Sequence, residues 1–302
     1  MITLSVESSE TALSALEFLQ RRIPAAPKAY LRQLLKKGKV LGAGGRLDEG
    51  DRLCSGDEVR LPDSGRLREL LGAPTAAAPG VAVLFESREI LVADKPAGVA
   101  VHASAGHEED NLTARVEALL AVRGERYSVA PVHRLDLETS GPILFGKGKK
   151  ACGELGKVFM RQEVEKAYLA LASGRTPGSG VLCSKVPSKG MSKEAMTAFK
   201  ALARVEAASL LELSLYTGRQ HQIRRQLADL GHPVFGDRRY GGPCPPELPR
   251  LFLHCRRLAF ADPFSGASLA VESPLPDDLA GFLPTCGIEP PPVPGSRSPR
   301  QG

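Results

Sequence analysis

Three short segments of this sequence gather side chains that could do chemistry. The first, Pro131-Val132-His133-Arg134-Leu135-Asp136-Leu137-Glu138-Thr139-Ser140-Gly141, packs titratable groups between apolar stretches and ends in turn residues. Asp136 beside Arg134 fits a structural ion pair, a turn-forming aspartate or a catalytic carboxylate, and composition alone favours the first two. The second, Glu165-Lys166-Ala167-Tyr168-Leu169-Ala170, sets a tyrosine in an aliphatic strand, by default an edge-of-core residue with a solvated hydroxyl. The third, Thr217-Gly218-Arg219-Gln220-His221-Gln222-Ile223-Arg224-Arg225, is a basic turn opening into a helix, where His221 can share a face with Arg224 or Arg225. Arg219, Arg224 and Arg225 read as a solvated basic face or as phosphate contacts. His133 and His221 read as hydrogen-bonded structural residues before general bases, and nothing marks Ser140 as an activated nucleophile.

Other chemistries find no support. The sequence has no GxxxxGK[ST] phosphate loop, no HExxH zinc helix and no GxSxG nucleophile elbow. Gly42-Ala43-Gly44-Gly45 is most simply a turn. His107-Glu108-Glu109-Asp110 reads as a solvated face, because ligands at successive positions point apart. The six cysteines, Cys54, Cys152, Cys183, Cys244, Cys255 and Cys286, form no CxxC pair. They fit reduced thiols of a cytoplasmic protein better than a zinc site or a disulfide framework.

The positioning elements follow from apolar periodicity and turn residues. Leu13, Leu16, Phe18 and Leu19 recur at helical spacing up to Pro24 and Pro27. A second helix is expected over Pro27–Lys37, opened by Pro27 and stopped by Gly38, with Leu31, Leu34 and Leu35 inward and Lys28, Arg32, Lys36 and Lys37 outward. Short strands are expected at Lys39–Leu41 and Asp57–Leu61. Residues 67–80, rich in Pro, Ala and Gly, read as a linker between a small domain at 1–66 and a larger one at 81–285. In the larger domain, strands are expected at Val81–Glu86, Ile90–Asp94, Pro142–Gly146, Ala167–Ala172, Ala208–Leu215, Leu251–Phe260 and Ser268–Glu272. Helices are expected from an Asn111 cap to Val122, over Lys149–Met160 and over Gln220–Leu230. Strands outnumber helices without alternating strictly, so the class is α+β. Residues 286–302 are a Pro-rich tail that cannot build a core, expected to be disordered.

Composition sets outer bounds. The 302 residues carry a net charge of +6 and a pI near 9.0, a mild excess that permits a nucleic-acid partner without demanding one. Its distribution is more telling. From Pro27 through Leu47 the basic residues Lys28, Arg32, Lys36, Lys37, Lys39 and Arg46 meet no acidic residue, so this window holds the whole +6. No apolar run approaches the ~20 residues of a membrane span, and Met1–Glu7 has no basic stretch before an apolar core, so neither a membrane anchor nor a secretory signal is expected. Tryptophan is absent and aromatics make up 5%, which disfavours a broad base-stacking platform.

Taken together, the segments resemble the pseudouridine synthases of the ribosomal-large-subunit type, the RluA family. His133–Gly141 looks like the family's HRLDxxTSG catalytic motif, Lys166-Ala167-Tyr168 its K-x-Y strand, and Gly218–Arg224 its G-R-x-H-Q-[IL]-R segment. Asp94-Lys95-Pro96-Ala97-Gly98, Leu230-Gly231-His232-Pro233-Val234-Phe235-Gly236-Asp237 and Leu253-His254 also fit, and the matches run in order over Val81–Leu275. Tyr30–Leu61 is similar to the alpha-L RNA-binding module, although Val40-Leu41-Gly42-Ala43-Gly44 matches its usual turn only loosely.

The resemblance implies a catalytic fold on a mixed, mostly antiparallel sheet with flanking helices, beside a small N-terminal α/β RNA-binding domain. It implies Asp136 as catalytic carboxylate, Tyr168 against the target base and Arg224 paired with Asp136 at the floor of the site. Arg134 would hold the flipped nucleotide, while Arg219, Lys28, Arg32, Lys36 and Lys37 would bind RNA. The reaction needs neither metal nor organic cofactor. The implied partner is structured RNA, above all large-subunit ribosomal RNA, acted on by a cytoplasmic monomer. The alternatives are a transfer-RNA-directed synthase or a non-catalytic RNA-binding or ribosome-assembly protein on the same fold. Leu137, Gln220 and Arg225-Gln226 depart from the family pattern beside residues that contact substrate.

Overall fold

The computed structural model describes residues 1–7, 10–23, 26–64, 67, 70–71, 80–104, 107, 110–125, 127–188 and 191–292, excluding the side chains of 186–188 and 191–192. The chain divides into two compact units, Met1–Pro79 and Gly80–Gly302.

In the first unit, strands β1 (Ile2–Ser5), β2 (Leu41–Gly42), β3 (Gly45–Arg46) and β4 (Glu58–Leu61) form an antiparallel sheet in the order β1-β4-β2-β3. Helix α1 (Ala15–Arg22) opens on a capping box: Glu17 N donates to Ser14 Oγ at 3.3 Å, and Ser14 N donates to Glu17 Oε2 at 2.9 Å. Helix α2 (Lys28–Lys36) ends where Gly38 takes φ +61°, which lets Lys39 N reach Leu34 O at 2.9 Å and Gly38 N reach Leu35 O at 2.8 Å. The apolar faces of both helices meet the sheet in a core that includes Leu16, Phe18, Leu19, Leu31, Leu35 and Leu61. Burial of each such side chain contributes about 1.5–3 kcal/mol. Leu67, expected at the start of the linker, is fully buried in this core, and Leu70 and Leu71 pack against it. The compact unit therefore extends past residue 66; positions 72–79 lie outside the described residues.

The second unit bears out the α+β expectation. One antiparallel sheet has the order β5 (Ala82–Glu86), β6 (Ile90–Lys95), β8 (Gly141–Lys147), β7 (Val129–Pro131). The other comprises β10 (Ser179–Ser188), β11 (Met191–Arg204), β12 (Ala208–Leu215), β9 (Val164–Ser173), β13 (Leu253–Ala261) and β14 (Ser268–Glu272), in that order. Parallel pairing among the described residues is confined to the bridges Ser140–His254 and Ala100–Asn111. Helices α3 (Leu112–Val122), α4 (Lys149–Met160), α5 (Gln222–Asp229) and α6 (Asp277–Ala280) complete the unit. Asn111 caps α3 as expected, its Oδ1 accepting from Ala114 N at 3.0 Å. Ile288 is buried in the main core beyond a 3-10 turn at Leu283–Cys286, so the chain stays packed past the expected tail start at 286. Residues 293–302 lie outside the described ones.

The β10–β11 hairpin has no counterpart in the expected elements. Its alternation does not mark a half-buried strand, because Val181 (61%) and Met196 (39%) leave apolar surface exposed. A buried polar ladder joins it to α5 instead. Thr197 Oγ1 donates to Gln226 Oε1 at 2.6 Å, while Gln226 Nε2 donates to Leu182 O, Ser184 Oγ and Ala195 O at 3.0–3.1 Å. Gln222 Nε2 donates to Thr197 Oγ1 at 2.9 Å and to Met196 O at 3.1 Å.

Candidate active site

Asp136 sits in the loop between β7 and β8, held from several sides. Thr139 N closes a turn onto Asp136 O at 3.1 Å, and Gly98 N donates to the next carbonyl, Leu137 O, at 2.9 Å. The ammonium of Lys95, fully buried, donates to Pro96 O, Val99 O and Leu137 O at 2.9–3.0 Å, while burial lowers its pKa to about 7. Downstream, Gly141 takes φ +125° and lies so near β13 that a Cβ there would stand 2.1 Å from Cys255 O. His254 secures the same junction. Its Nδ1 lies 3.0 Å from Ser140 Oγ and its Nε2 3.1 Å from Ser273 O, and burial depresses its pKa to about 4.

Tyr168 stands mid-strand on β9, opposite Leu213 of β12 and Cys255 of β13. It is buried beside Cys255, so the solvated hydroxyl expected by default is not found. Burial raises the Tyr168 pKa well above the phenol value and pushes Cys255 up to about 12, which keeps both protons in place.

Arg224 rises from the first turn of α5, behind His221 at φ +53°. It engages two carboxylates. With Asp237 it forms a two-pronged pair, Nε to Oδ2 at 2.7 Å and Nη2 to Oδ1 at 2.8 Å, and Asp237 also accepts from Arg239 N and Tyr240 N at 3.1 Å. Its Nη1 lies 3.5 Å from Asp136 Oδ2. Burial opposes the guanidinium charge, yet the bonds to Asp237 and the field of Asp136 leave the Arg224 pKa raised. The expected Arg224–Asp136 pair is present, and the firmer partner is Asp237, to which the sequence reading gave no role. Its place at the end of the matched segment Leu230–Asp237 marked the residue but not its partner.

His221 Nε2 lies 3.9 Å from Asp136 Oδ1, and its Nδ1 lies 3.1 Å from the Tyr240 hydroxyl, which accepts from Arg225 Nε at 2.9 Å. Burial lowers the His221 pKa against the pull of Asp136. His133 Nε2 accepts from Leu144 N at 3.0 Å and its ring stacks on Phe159 at 4.8 Å; burial and nearby Lys166 push its pKa down to about 3.

These groups surround a cleft of about 590 Å³ lined by Arg134, Asp136, Lys166, Tyr168, Arg219 and Arg224 among others. A cavity of about 660 Å³ beside Asp94, Lys95, Arg250 and Asp278 contains none of Asp136, Tyr168 or Arg224. Of these two, the smaller combines a carboxylate held beside a guanidinium, a protonated phenol and open cations. That combination can seat an aromatic base attached to a polyanion while an acidic oxygen faces it. Arg134 is exposed at the rim; Arg219 donates from Nε to Glu194 O at 3.2 Å. Lys28, Arg32 and Lys36 on α2, and Lys37 at its C-terminal end, are exposed in the first unit, where Arg32 Nε donates to Glu49 Oε1 at 2.9 Å. Among the described residues no group of three or more His, Cys, Asp or Glu is placed to hold a metal ion; Glu108 and Glu109 lie outside them. No helix among the described residues is long and apolar enough to cross a membrane.

Residues 89–229, from the start of β6 to the end of α5, match the family model for RNA pseudouridylate synthase. The chain belongs to this family, and it is an enzyme that isomerises uridine in RNA. It is 32% identical over 309 residues to the ribosomal large subunit pseudouridine synthase C of Yersinia pestis, covering 94% of each chain. Against the same-named protein of Escherichia coli K12 it is 31% identical over 308 residues, 93% of this chain and 95% of that one. The fold superposes on human RNA pseudouridylate synthase domain containing 4 with a TM-score of 0.58 at 22% identity, covering 70% of this chain and 95% of the human one. The resemblance drawn from the ordered motifs is borne out.

Proposed function

We propose that this enzyme converts uridines of large-subunit ribosomal RNA to pseudouridine, with Asp136 as the catalytic carboxylate. The observation that carries the site assignment is the meeting of Asp136, Tyr168 and Arg224 in one cleft, with Arg224 Nη1 3.5 Å from Asp136 Oδ2. The substrate assignment is supported by relatives at 31–32% identity that bear the name ribosomal large subunit pseudouridine synthase C.

The reaction breaks the bond between uracil N1 and the sugar, turns the base and rejoins it through C5. One proton leaves C5 and one arrives at N1, so the nucleotide keeps its formula. A stacked base is out of reach of Asp136, so the nucleotide is flipped into the cleft, with Arg134 reaching into the RNA from the rim. Tyr168 offers a flat ring for the uracil to rest on while it turns, and its raised pKa keeps the ring neutral. Arg224, anchored by Asp237, presents its Nη1 to Asp136 Oδ2 at 3.5 Å and so holds the carboxylate in place through opposite charge. Arg219 and the first unit's cations Lys28, Arg32, Lys36 and Lys37 bind the RNA backbone, so the first compact unit serves as an RNA-binding domain attached to the catalytic second unit. The enzyme works in the cytoplasm as a monomer.

Primer extension for pseudouridine on cellular RNA tests this reading. Deleting the gene is expected to erase specific pseudouridines from large-subunit ribosomal RNA, restored by the wild-type chain and not by Asp136→Ala. Loss confined to transfer RNA would overturn the substrate assignment. Restoration by Asp136→Ala would overturn the role of Asp136.

A further inference from the structure

We infer that Lys166 forms an anion subsite in the active cleft that takes the backbone phosphate of the flipped nucleotide, an inference that rests on the function proposed above. Lys166 and Tyr168 are two residues apart on β9, so their side chains emerge on the same face, about 7 Å apart along the strand. Both line the cleft that contains Asp136. That spacing is about the reach from a pyrimidine ring to the phosphate of its own nucleotide.

The surroundings of Lys166 leave its charge for a ligand to meet. Its ammonium stands over the Phe159 ring, 5.8 Å from the centroid, and the His133 ring stacks on the same Phe159 at 4.8 Å. His133 is held neutral and offers no charge. Glu165, the adjacent carboxylate, emerges on the opposite face of β9 and pairs with Arg257 at 3.1 Å. Asp136 is engaged by Arg224 and faces His221, while Asp237 is gripped by Arg224. Among the described residues, no carboxylate lies within ion-pair distance of Lys166. Gly218 borders the ammonium, a Cβ placed there standing 3.8 Å from Lys166 Nζ.

The environment lowers the Lys166 pKa through burial, so the folded protein carries a half-dehydrated cation without its counter-charge. An incoming phosphodiester supplies that charge and recovers the lost solvation through charge-assisted hydrogen bonds. The uracil would then rest on Tyr168 while its phosphate is fixed at Lys166. The sugar between them lies beside Asp136, and the base can turn without carrying the backbone along.

The test compares uridine, uridine 3′-monophosphate and uridine 5′-monophosphate binding to the full chain by titration calorimetry, which needs no turnover. One of the two monophosphates is expected to bind about ten-fold tighter than uridine, a ratio that corresponds to about 1.4 kcal/mol. Lys166→Met is expected to abolish that preference and Lys166→Arg to keep it. Equal binding of all three ligands by the wild type, or an undiminished preference in Lys166→Met, overturns the proposal.

Turnover gives a second, independent readout: tritium release from large-subunit ribosomal RNA transcribed with [5-3H]uridine. Lys166→Met should raise KM about ten-fold with kcat nearly unchanged, and Lys166→Arg should restore KM. A collapse of kcat in both variants would make Lys166 a proton-transfer group and sink the subsite. Absence of tritium release by the wild type would count against the proposed ribosomal substrate, leaving the calorimetric comparison to decide on Lys166.

Discussion

Arg224 grips Asp237 at 2.7 and 2.8 Å and touches Asp136 at 3.5 Å with its remaining nitrogen. The fully buried Asp237 thus fixes the plane of the guanidinium, and only the leftover N–H is presented to the cleft. The catalytic carboxylate is served by an arginine whose geometry is decided elsewhere.

Replacement of Asp237 therefore reaches both stability and rate. Asp237→Ala leaves a buried guanidinium without its main partner, a loss of about 3–5 kcal/mol of unfolding free energy. Single-turnover pseudouridine formation by the remaining folded enzyme should fall as Arg224 loses its orientation. Urea unfolding alongside single-turnover assays separates the effects; an unchanged midpoint would refute the anchoring role.

Gly141→Ala tests the junction behind Asp136. The new Cβ would meet Cys255 O at 2.1 Å, at a φ of +125° that side chains rarely adopt. Destabilisation well beyond about 1 kcal/mol is expected from the backbone conflict. A variant as stable as wild type in thermal unfolding would show that β8 and β13 can separate without cost.

Acid should weaken the fold through His254. Its pKa is about 4 in the folded chain, against roughly 6.5 for an unfolded imidazole. The unfolded state therefore binds more protons between those values, so this contribution is complete above about pH 6.5 and is lost on acidification towards pH 4. The slope approaches about 1.4 kcal/mol per pH unit inside that window. Urea midpoints measured from pH 7 to pH 5 should fall for the wild type and fall less steeply for His254→Gln, the remaining slope including that of His133, whose pKa of about 3 acts in the same window. Parallel curves for the two proteins would contradict the assignment.

The α2 cations should act unequally on RNA affinity. Arg32 is already paired with Glu49 at 2.9 Å, whereas Lys28, Lys36 and Lys37 form no ion pair among the described residues. Removing the three lysines together should weaken binding and reduce the slope of log affinity against log salt by up to about two to three. Arg32→Ala alone should change that slope little. An unaltered slope in the triple variant would exclude α2 from the RNA contact.

Much of this arrangement was legible before the structure. Helices α1 to α5 follow apolar spacing and cap residues, and Asn111 and Gly38 act where turn chemistry places them. The ordered motifs led to Asp136, Tyr168 and Arg224, which do share a cleft. What the sequence hid was pairing at long range. Nothing local says that Asp237 would bind a guanidinium thirteen residues earlier in the chain, or that Lys95 would pin the carbonyl after Asp136. The β10–β11 hairpin escaped for another reason: it is steadied by the Gln222–Thr197–Gln226 ladder, and polar residues of that kind read as loop. The packed residues Leu67 and Ile288 lay beside Pro- and Gly-rich composition that masked their apolar contacts.

The Ser140–His254 bridge has a further consequence. It rivets β8 of one sheet to β13 of the other just behind the loop that carries Asp136. Neither sheet can pull away without dragging that loop, so catalytic geometry and sheet docking form one cooperative block. On heating, activity and the tertiary signal of residues 80–292 should disappear together.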